Sequence, residues 1–375
     1  MRSSVIQVLF WTAVAVPIYT YVGYFMVLTI LSRLRRRVLR KADIEPSVSL
    51  LIPAYNEATV IANKIQNSLA IDYPAAKLEI VIACDGSTDG TPEVARAAAA
   101  GTRVKVLAFT ENRGKIETLN RCVPNLGGEV VVFSDASAMI YPDAIRVLMR
   151  NFADPDVGAA SGKYVVVKAD DVSTGKSEDL YWKYETRLKV MESQLSSTLG
   201  GHGHLHAIRR DLYPFPPDGT INDDYVIPVS VLRRRRRAVY EPDAVVYEEA
   251  RHMTGFGRRV RIVAGNLQQL SEIRGLFQPL QALPLFFFLS HKVARLAVPF
   301  AIIAAWVLNL FLLDHTLYRI VFMMQCVFYT AAVLGVVYKL KPRSLLLPFY
   351  FCMINLATLV AFYRLFIQRR QVAWK

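Results

Sequence analysis

Val130-Val131-Val132-Phe133-Ser134-Asp135-Ala136-Ser137-Ala138 is the stretch on which the reading of the whole chain turns. Its four leading apolar residues predict a strand buried on both faces, as at the centre of a parallel sheet. Small polar residues stop it abruptly. In open α/β sheets, ligands bind beyond the carboxyl ends of the strands. Asp135 is therefore expected at the mouth of a crevice, where a carboxylate can hold a divalent cation against phosphate oxygens. A strand followed by an Asx turn accounts for this stretch equally well when it is taken alone.

Three earlier segments repeat the pattern. Ser47–Pro53 reads as a strand ending in Ala54-Tyr55-Asn56-Glu57, with helical spacing from Glu57 to about Leu69. Leu78–Ala83 is a second strand, closed by Cys84-Asp85-Gly86-Ser87-Thr88-Asp89-Gly90, and Thr91-Pro92 opens the next helix. Val104–Ala108 is a third, followed by Asn112-Arg113-Gly114-Lys115 and another helix. Strand, polar loop and helix alternate, so the fold class is α/β with a largely parallel sheet. Asp85 and Asp89 flank a glycine that permits close backbone approach, and Arg113 and Lys115 suit phosphate charge. Each loop alone is an ordinary turn. Four at equivalent ends of one sheet point to a nucleotide site.

These loops resemble the successive signatures of family 2 glycosyltransferases. The likeness is to the membrane-embedded branch that includes hyaluronan, chitin, cellulose and poly-N-acetylglucosamine synthases. It covers roughly residues 46–270 and extends to the flanking apolar segments. It implies a GT-A fold, a Rossmann-like cytosolic domain, in which Ala54, Tyr55, Glu57 and Asp85 line the uridine pocket of a UDP-sugar. Lys115 would lie near the nucleotide, and Asp89 belongs to the same substrate-binding set. Asp135 would be the first acid of a metal-binding D-x-D for Mg or Mn. The second acid is replaced by Ser137, which leaves two options: the metal rests on Asp135 and the diphosphate, or its dependence is altered.

The acceptor side follows. Tyr181-Trp182-Lys183-Tyr184-Glu185 opens a helical stretch, with Trp182 expected in the core. Gly200-Gly201-His202-Gly203-His204-Leu205-His206 resembles the family's glycine-rich acceptor segment, and makes Gly203 a substrate-binding candidate. The alternating His202, His204 and His206 would share a face on a strand; a zinc site is the minor reading. Asn222-Asp223-Asp224-Tyr225 begins a helix, where carboxylates complement the dipole. The resemblance makes Asp224 the catalytic base, taking the acceptor hydroxyl proton in an inverting transfer, with Asp223 as its support. Arg258-Arg259-Val260-Arg261-Ile262 sits where the polymerising branch carries Q-x-x-R-W. Arg258 stands for Gln, Ile262 for Trp, and Arg261 matches the arginine that pairs with the leaving diphosphate. Losing the Trp brings a single-addition enzyme level with a processive one.

Composition agrees with a mixed protein. The 375 residues are 53% hydrophobic and 20% charged, with a net charge of +14. Val5–Leu31 contains no charged residue and is long enough to span a bilayer, which takes about 20 apolar residues. No small-residue cleavage site follows it. The basic cluster from Arg33 to Lys41 places the following domain in the cytoplasm. Residues 1–41 form this helix and its flank. Residues 42–270 form the transferase domain, with a nucleotide half (42–138) and an acceptor half (139–270). Residues 271–375 hold an interfacial helix (Leu276–Leu289) and about three spans (Val293–Leu313, Leu317–Val337 and Leu345–Phe366). Lys339, Lys341 and Arg343 mark a cytoplasmic loop, while Arg369, Arg370 and Lys375 prefer the inside although three spans carry the end outside. The four cysteines form no disulfide or zinc pattern, consistent with a reducing cytosol.

The expected partners are a UDP-sugar donor, a glycan or lipid-linked acceptor and the lipid bilayer, at the inner (plasma) membrane in a multi-pass arrangement. No nucleic-acid partner is expected, because the Arg233–Arg237 run lacks interleaved aromatics. Cations at a helix end and headgroup contact explain that run. The alternative from another class is a membrane scaffold or transporter with a degenerate sugar-nucleotide domain, and only Ser137 speaks for it.

Overall fold

The computed structural model describes residues 2–167, 174–201, 203–249, 256–272, 281–337 and 343–367. His202, Lys339, Lys341, Arg369, Arg370 and Lys375 lie outside them. One eight-stranded sheet organises the domain: β1 Val48–Ala54, β2 Leu78–Asp85, β3 Val104–Phe109, β4 Val130–Phe133, β5 Met139–Ile140, β6 Val157–Val167, β7 His206–Arg209 and β8 Arg237–Glu249, in the order β3-β2-β1-β4-β7-β6-β8-β5. β3, β2, β1 and β4 run parallel. β7 is antiparallel to both β4 and β6, β6 and β8 are parallel, and β5 closes the edge antiparallel to β8.

β1 and β4 are buried along their whole length. Their side chains alternate between two cores. Leu50, Ile52, Val130 and Val132 pack with Ile61 and Ile65 of the Ile61–Leu69 helix. Leu51, Val131 and Phe133 pack with Leu119 and Cys122 of the Lys115–Cys122 helix, and with Ile208. Each such side chain contributes roughly 1.5–3 kcal/mol on burial, so one residue of register slip would exchange the two cores and is strongly disfavoured.

The parallel strands all end on one edge, and that edge gathers the loops at 54–58, 85–90, 110–114 and 134–138. Thr91 lies just inside its helix rather than capping it; Gly90, at φ +84°, is the cap. Gly86 sits at φ +61°, and a Cβ there would be 2.2 Å from the Asn112 backbone nitrogen. Only glycine lets the second and third loops meet so closely.

Among the described residues, four helices are long and apolar enough to cross a membrane: Ser4–Leu34, Ala282–Leu310, Thr316–Gly335 and Leu347–Phe366. From Ala282 on, the segment expected as a separate interfacial helix is instead the start of a continuous apolar helix, with Leu283, Phe286, Phe287 and Phe288 packed in one cluster with Tyr24 and Leu28. The helix Phe256–Glu272 lies on the last of the four, with Val260, Val263, Ala264 and Leu267 against Ala357 and Ala361.

A buried polar cluster joins domain and apolar helices. Tyr24 donates to Glu192 Oε1 at 2.7 Å. His291 bridges two carboxylates, Nδ1 to Glu192 Oε1 at 2.6 Å and Nε2 to Glu185 Oε2 at 3.2 Å. Arg295 pairs with Glu185 Oε1 at 2.6 Å. Burial works against an ionised Glu185, yet Arg295 and His291 hold its carboxyl well below the usual range. Both glutamates stand on Thr174–Leu195, the helix that carries Trp182 into the main core, edge-on to Tyr164. Breaking such a pair from one side costs about 3–5 kcal/mol.

Candidate active site

The loops at the sheet edge are tied to one another before any ligand is considered. Asn56, at φ +55°, donates its N–H to Ser87 Oγ at 3.1 Å and accepts from the Thr88 N–H at 2.9 Å. Asp89 accepts from the N–H groups of Ala58 at 3.1 Å and Thr91 at 3.0 Å, and from the Thr91 hydroxyl. Asp85 is 1% exposed, and its two oxygens accept from the N–H groups of Arg113 at 3.0 Å and Gly114 at 2.8 Å. Asp85 was expected to face a base, and Asp89 to share in binding. Both carboxylates hold loop backbone, the partner that a turn rich in N–H groups supplies. Ala54 closes β1 fully buried; Tyr55 and Glu57, half-buried, stand beside these loops.

A second group of acids meets around Lys115. This lysine begins its helix and turns Nζ toward Asp135 Oδ1 at 2.8 Å and Asp223 Oδ2 at 2.9 Å. Burial disfavours its charge, but Asp135 and Asp223 outweigh that and hold it protonated above the usual lysine range. Burial likewise opposes an ionised Asp135, and Lys115 with His204 brings its carboxyl down to about 2. Arg261 reaches the same field: burial lowers its pKa, and Asp135 and Asp223 pull the other way. Arg258 is exposed and acts on Arg261 by like charge.

Asp224 stands across Gly203 from Asp135. A Cβ at 203 would lie 3.6 Å from Asp135 Oδ2 and 3.8 Å from Asp224 Cβ, so a larger side chain would fill the space between the two acids. The Asp224 carboxyl is raised, first by burial and then by the Asp223 charge, with Lys189, Lys292 and Lys115 opposing. Asp223 is thus tied to Lys115, and bears on Asp224 through charge. The Asp224 carbonyl accepts from the Gly201 N–H at 2.7 Å, fastening the glycine segment to the helix Asp223–Ser230. Asn222 caps that helix region against Phe256–Glu272: its Nδ2 donates to the Ile262 carbonyl at 3.3 Å and to Asn266 Oδ1 at 3.2 Å. Gly265 makes room for this contact, since a Cβ there would be 2.4 Å from Asn222 Oδ1.

Several residues at the site carry no motif. Lys64, fully buried on Ile61–Leu69, donates to Ser134 Oγ at 2.8 Å and to the Ala138 carbonyl, holding both ends of the Asp135 loop from below. Its only sequence signal is a lysine on the apolar face of an amphipathic helix. His206 is wholly buried, stacked on Phe133 at 4.9 Å, and burial takes its pKa down to about 4. Glu248 accepts from Tyr164 at 2.9 Å, and Ser137 helps to keep its carboxyl low. Among the described residues no three His, Cys, Asp or Glu side chains form a ready metal cage. Of the arginine run, Arg237 is buried and donates to the carbonyls of Ser196 and Ser193, while Arg236 donates to that of Pro155.

The sheet order, the loops at one edge and the paired acids define a GT-A nucleotide-sugar fold. A family model described as "Glycosyltransferase like family 2" matches residues 46–262, and the chain belongs to that family. It is similar to a beta-monoglucosyldiacylglycerol synthase of Nostoc, 31% identical over 163 residues, covering 43% of this chain and 34% of the relative. It is also similar to a poly-beta-1,6-N-acetyl-D-glucosamine synthase of Staphylococcus aureus, 31% identical over 134 residues, 34% of this chain and 32% of the relative. The matched stretch thus spans about a third of the length of these curated relatives. Among solved structures, the mannosyltransferase PcManGT from Pyrobaculum calidifontis, in complex with GDP-Man and Mn2+, superposes with a TM-score of 0.75 at 24% identity, over 96% of this chain and 100% of its own. That likeness extends the shared fold to the apolar helices.

Proposed function

We propose that the chain is a membrane-bound inverting glycosyltransferase that moves a sugar from a nucleoside-diphosphate sugar to a glycan or lipid-linked acceptor. The observation that carries this reading is Asp224 facing Asp135 across the side-chain-free Gly203, with Lys115 and Arg261 in the same field. The acceptor hydroxyl oxygen attacks the anomeric carbon, the bond to the diphosphate breaks, and the proton passes to Asp224. A carboxyl with a raised pKa suits that task. Arg261 meets the departing diphosphate, while Lys115 keeps Asp135 and Asp223 in place.

A hard divalent cation fits the donor set. Asp135 is ionised, and the absence of a side chain at 203 leaves room at its Oδ2. Asp135 would hold the ion, which when bound supplies countercharge to the diphosphate oxygens. UDP-sugars are the first donors to try. GDP-mannose joins the panel because the structurally similar mannosyltransferase was solved with it.

Tyr55 and Glu57 are assigned to the nucleoside side, and the membrane supports the acceptor. The four apolar helices and the basic flank at Arg33–Lys41 support an inner-membrane location with the domain in the cytoplasm. Ile262, in the place of a platform tryptophan, favours single additions over polymer synthesis.

The test supplies labelled UDP-glucose, UDP-N-acetylglucosamine or GDP-mannose to membranes holding the full chain, and reads product length and anomeric configuration by NMR. A product of inverted configuration is expected. Retained configuration would contradict the base role, and nucleotide binding without any transfer would favour a scaffold.

A further inference from the structure

The Asp135-Ala136-Ser137 loop offers one carboxylate, but a second approaches it from a distant part of the chain. β5 follows the loop directly and pairs with the end of β8, Met139 opposite Tyr247. That register brings Glu248 to the loop's far end. β6 flanks β8 on its other side, with Val166 opposite Glu248, so Tyr164 and Glu248 share a face.

Glu248 is held by side chains from three segments. Tyr164 donates to Oε2 at 2.9 Å, His204 Nε2 lies 3.5 Å from the same oxygen, and Ser137 favours the carboxylate's charge. The His204 ring stacks on Tyr164 at 3.9 Å and 16°. Burial opposes the Glu248 charge, yet these three partners bring its carboxyl down to about 2. Its charge is thus offset by named partners, in a place where a lone anion is costly. His204 is 7% exposed, and its Nδ1 is buried without a hydrogen-bond partner among the described residues. The same imidazole also bears on Asp135. An ordered, ionised carboxylate thus abuts Ser137, at the end of the loop that begins with Asp135.

We propose that Glu248 is the second protein carboxylate of the cation–diphosphate site, standing in for the acid missing at Ser137, with His204 and Tyr164 fixing its position. The inference rests on the cation–nucleotide reading given above. Small hard cations are held by one or two carboxylates, with substrate phosphates and water completing the shell.

The test is titration of Mn2+ followed by electron paramagnetic resonance, on the full chain in detergent, alone and with UDP or GDP. Wild type is compared with Asp135→Asn, Glu248→Gln and the double variant Ser137→Asp/Glu248→Gln. Glutamine still accepts from Tyr164, so the fold should hold, and a thermal melt checks it. The expected result is Mn2+ affinity in the nucleotide complex reduced about tenfold or more by Glu248→Gln, with an unchanged melt, and recovery when Ser137→Asp is added. Wild-type affinity in Glu248→Gln, beside a loss in Asp135→Asn, would overturn the role of Glu248 alone. Loss of affinity together with an early melt, unrescued by Ser137→Asp, would make Glu248 structural and also overturn it. No Mn2+ binding by wild type with either nucleotide would overturn the cation reading and this inference together.

Discussion

Asp85 and Asp135 close two strands of one sheet, with β1 between them, and end with opposite partners. Asp85 is buried under the third loop, both oxygens on backbone N–H groups. Asp135 keeps a partly buried carboxylate on Lys115, beside a glycine that leaves space at its second oxygen. Asp89 belongs with Asp85, while Asp223, Asp224 and Glu248 belong with Asp135. The first set shapes the edge of the cleft, and the second supplies its charge. The difference lies in the surroundings: loops one and three turn backbone N–H groups toward Asp89 and Asp85, whereas loop four faces side chains.

Substitutions should sort along the same line. Asp224→Asn is expected to lower the transfer rate by about 10²–10⁴-fold while leaving nucleotide binding intact, read by steady-state kinetics beside calorimetric titration. Its pH behaviour sharpens the point. The raised carboxyl puts the acid limb of the rate profile above the ordinary carboxylate range, with activity rising as pH climbs through it. For stability the sign is opposite. The folded state holds this proton where the unfolded chain has lost it, so the wild type loses stability as pH rises through the raised value. Asp224→Asn should therefore melt higher at neutral pH, and the advantage should vanish in acid below the unfolded carboxylate's pKa.

Lys115→Met removes the shared partner of Asp135 and Asp223 and should cost about 3–5 kcal/mol, measured by denaturant unfolding. Asp85→Asn turns an amide donor toward one of two backbone donors and should cost about 1–3 kcal/mol, seen in the same assay, with the kinetic loss following from the displaced third loop. Asp89→Ala removes a cap-like contact and should cost about 1 kcal/mol, with transfer changed only a few-fold. An Asp89 variant as inactive as the Asp224 variant would break the comparison.

Much of the fold was legible because its signal is local. The Val130–Phe133 strand was read with its observed bounds, and the other three parallel strands to within two residues. The carboxylates divide differently. A sequence shows that Asp85 and Asp135 both end strands, but not which will find backbone N–H groups within reach. Lys64 and Glu248 were missed because neither sits in a motif: one is a lysine on the apolar face of a short helix, the other looks like the tail of a strand. Their meaning depends on contacts 70 or more positions away, to Ser134 and Tyr164. Arg295 is the one charged residue in the apolar run Val293–Leu313, and charges there usually pair. Its partner, Glu185, could be found only once Thr174–Leu195 was placed beside it.

The most direct test of the central claim is diphosphate-nucleotide release by the full chain in lipid nanodiscs, with UDP-glucose, UDP-N-acetylglucosamine and GDP-mannose in turn, Mn2+ present and a membrane-lipid extract as acceptor. The account predicts release with one donor by the wild type, and loss of that release in Asp224→Asn, which still binds the nucleotide. Equal release by wild type and Asp224→Asn, or failure of the wild type to bind any of the three donors, would contradict it.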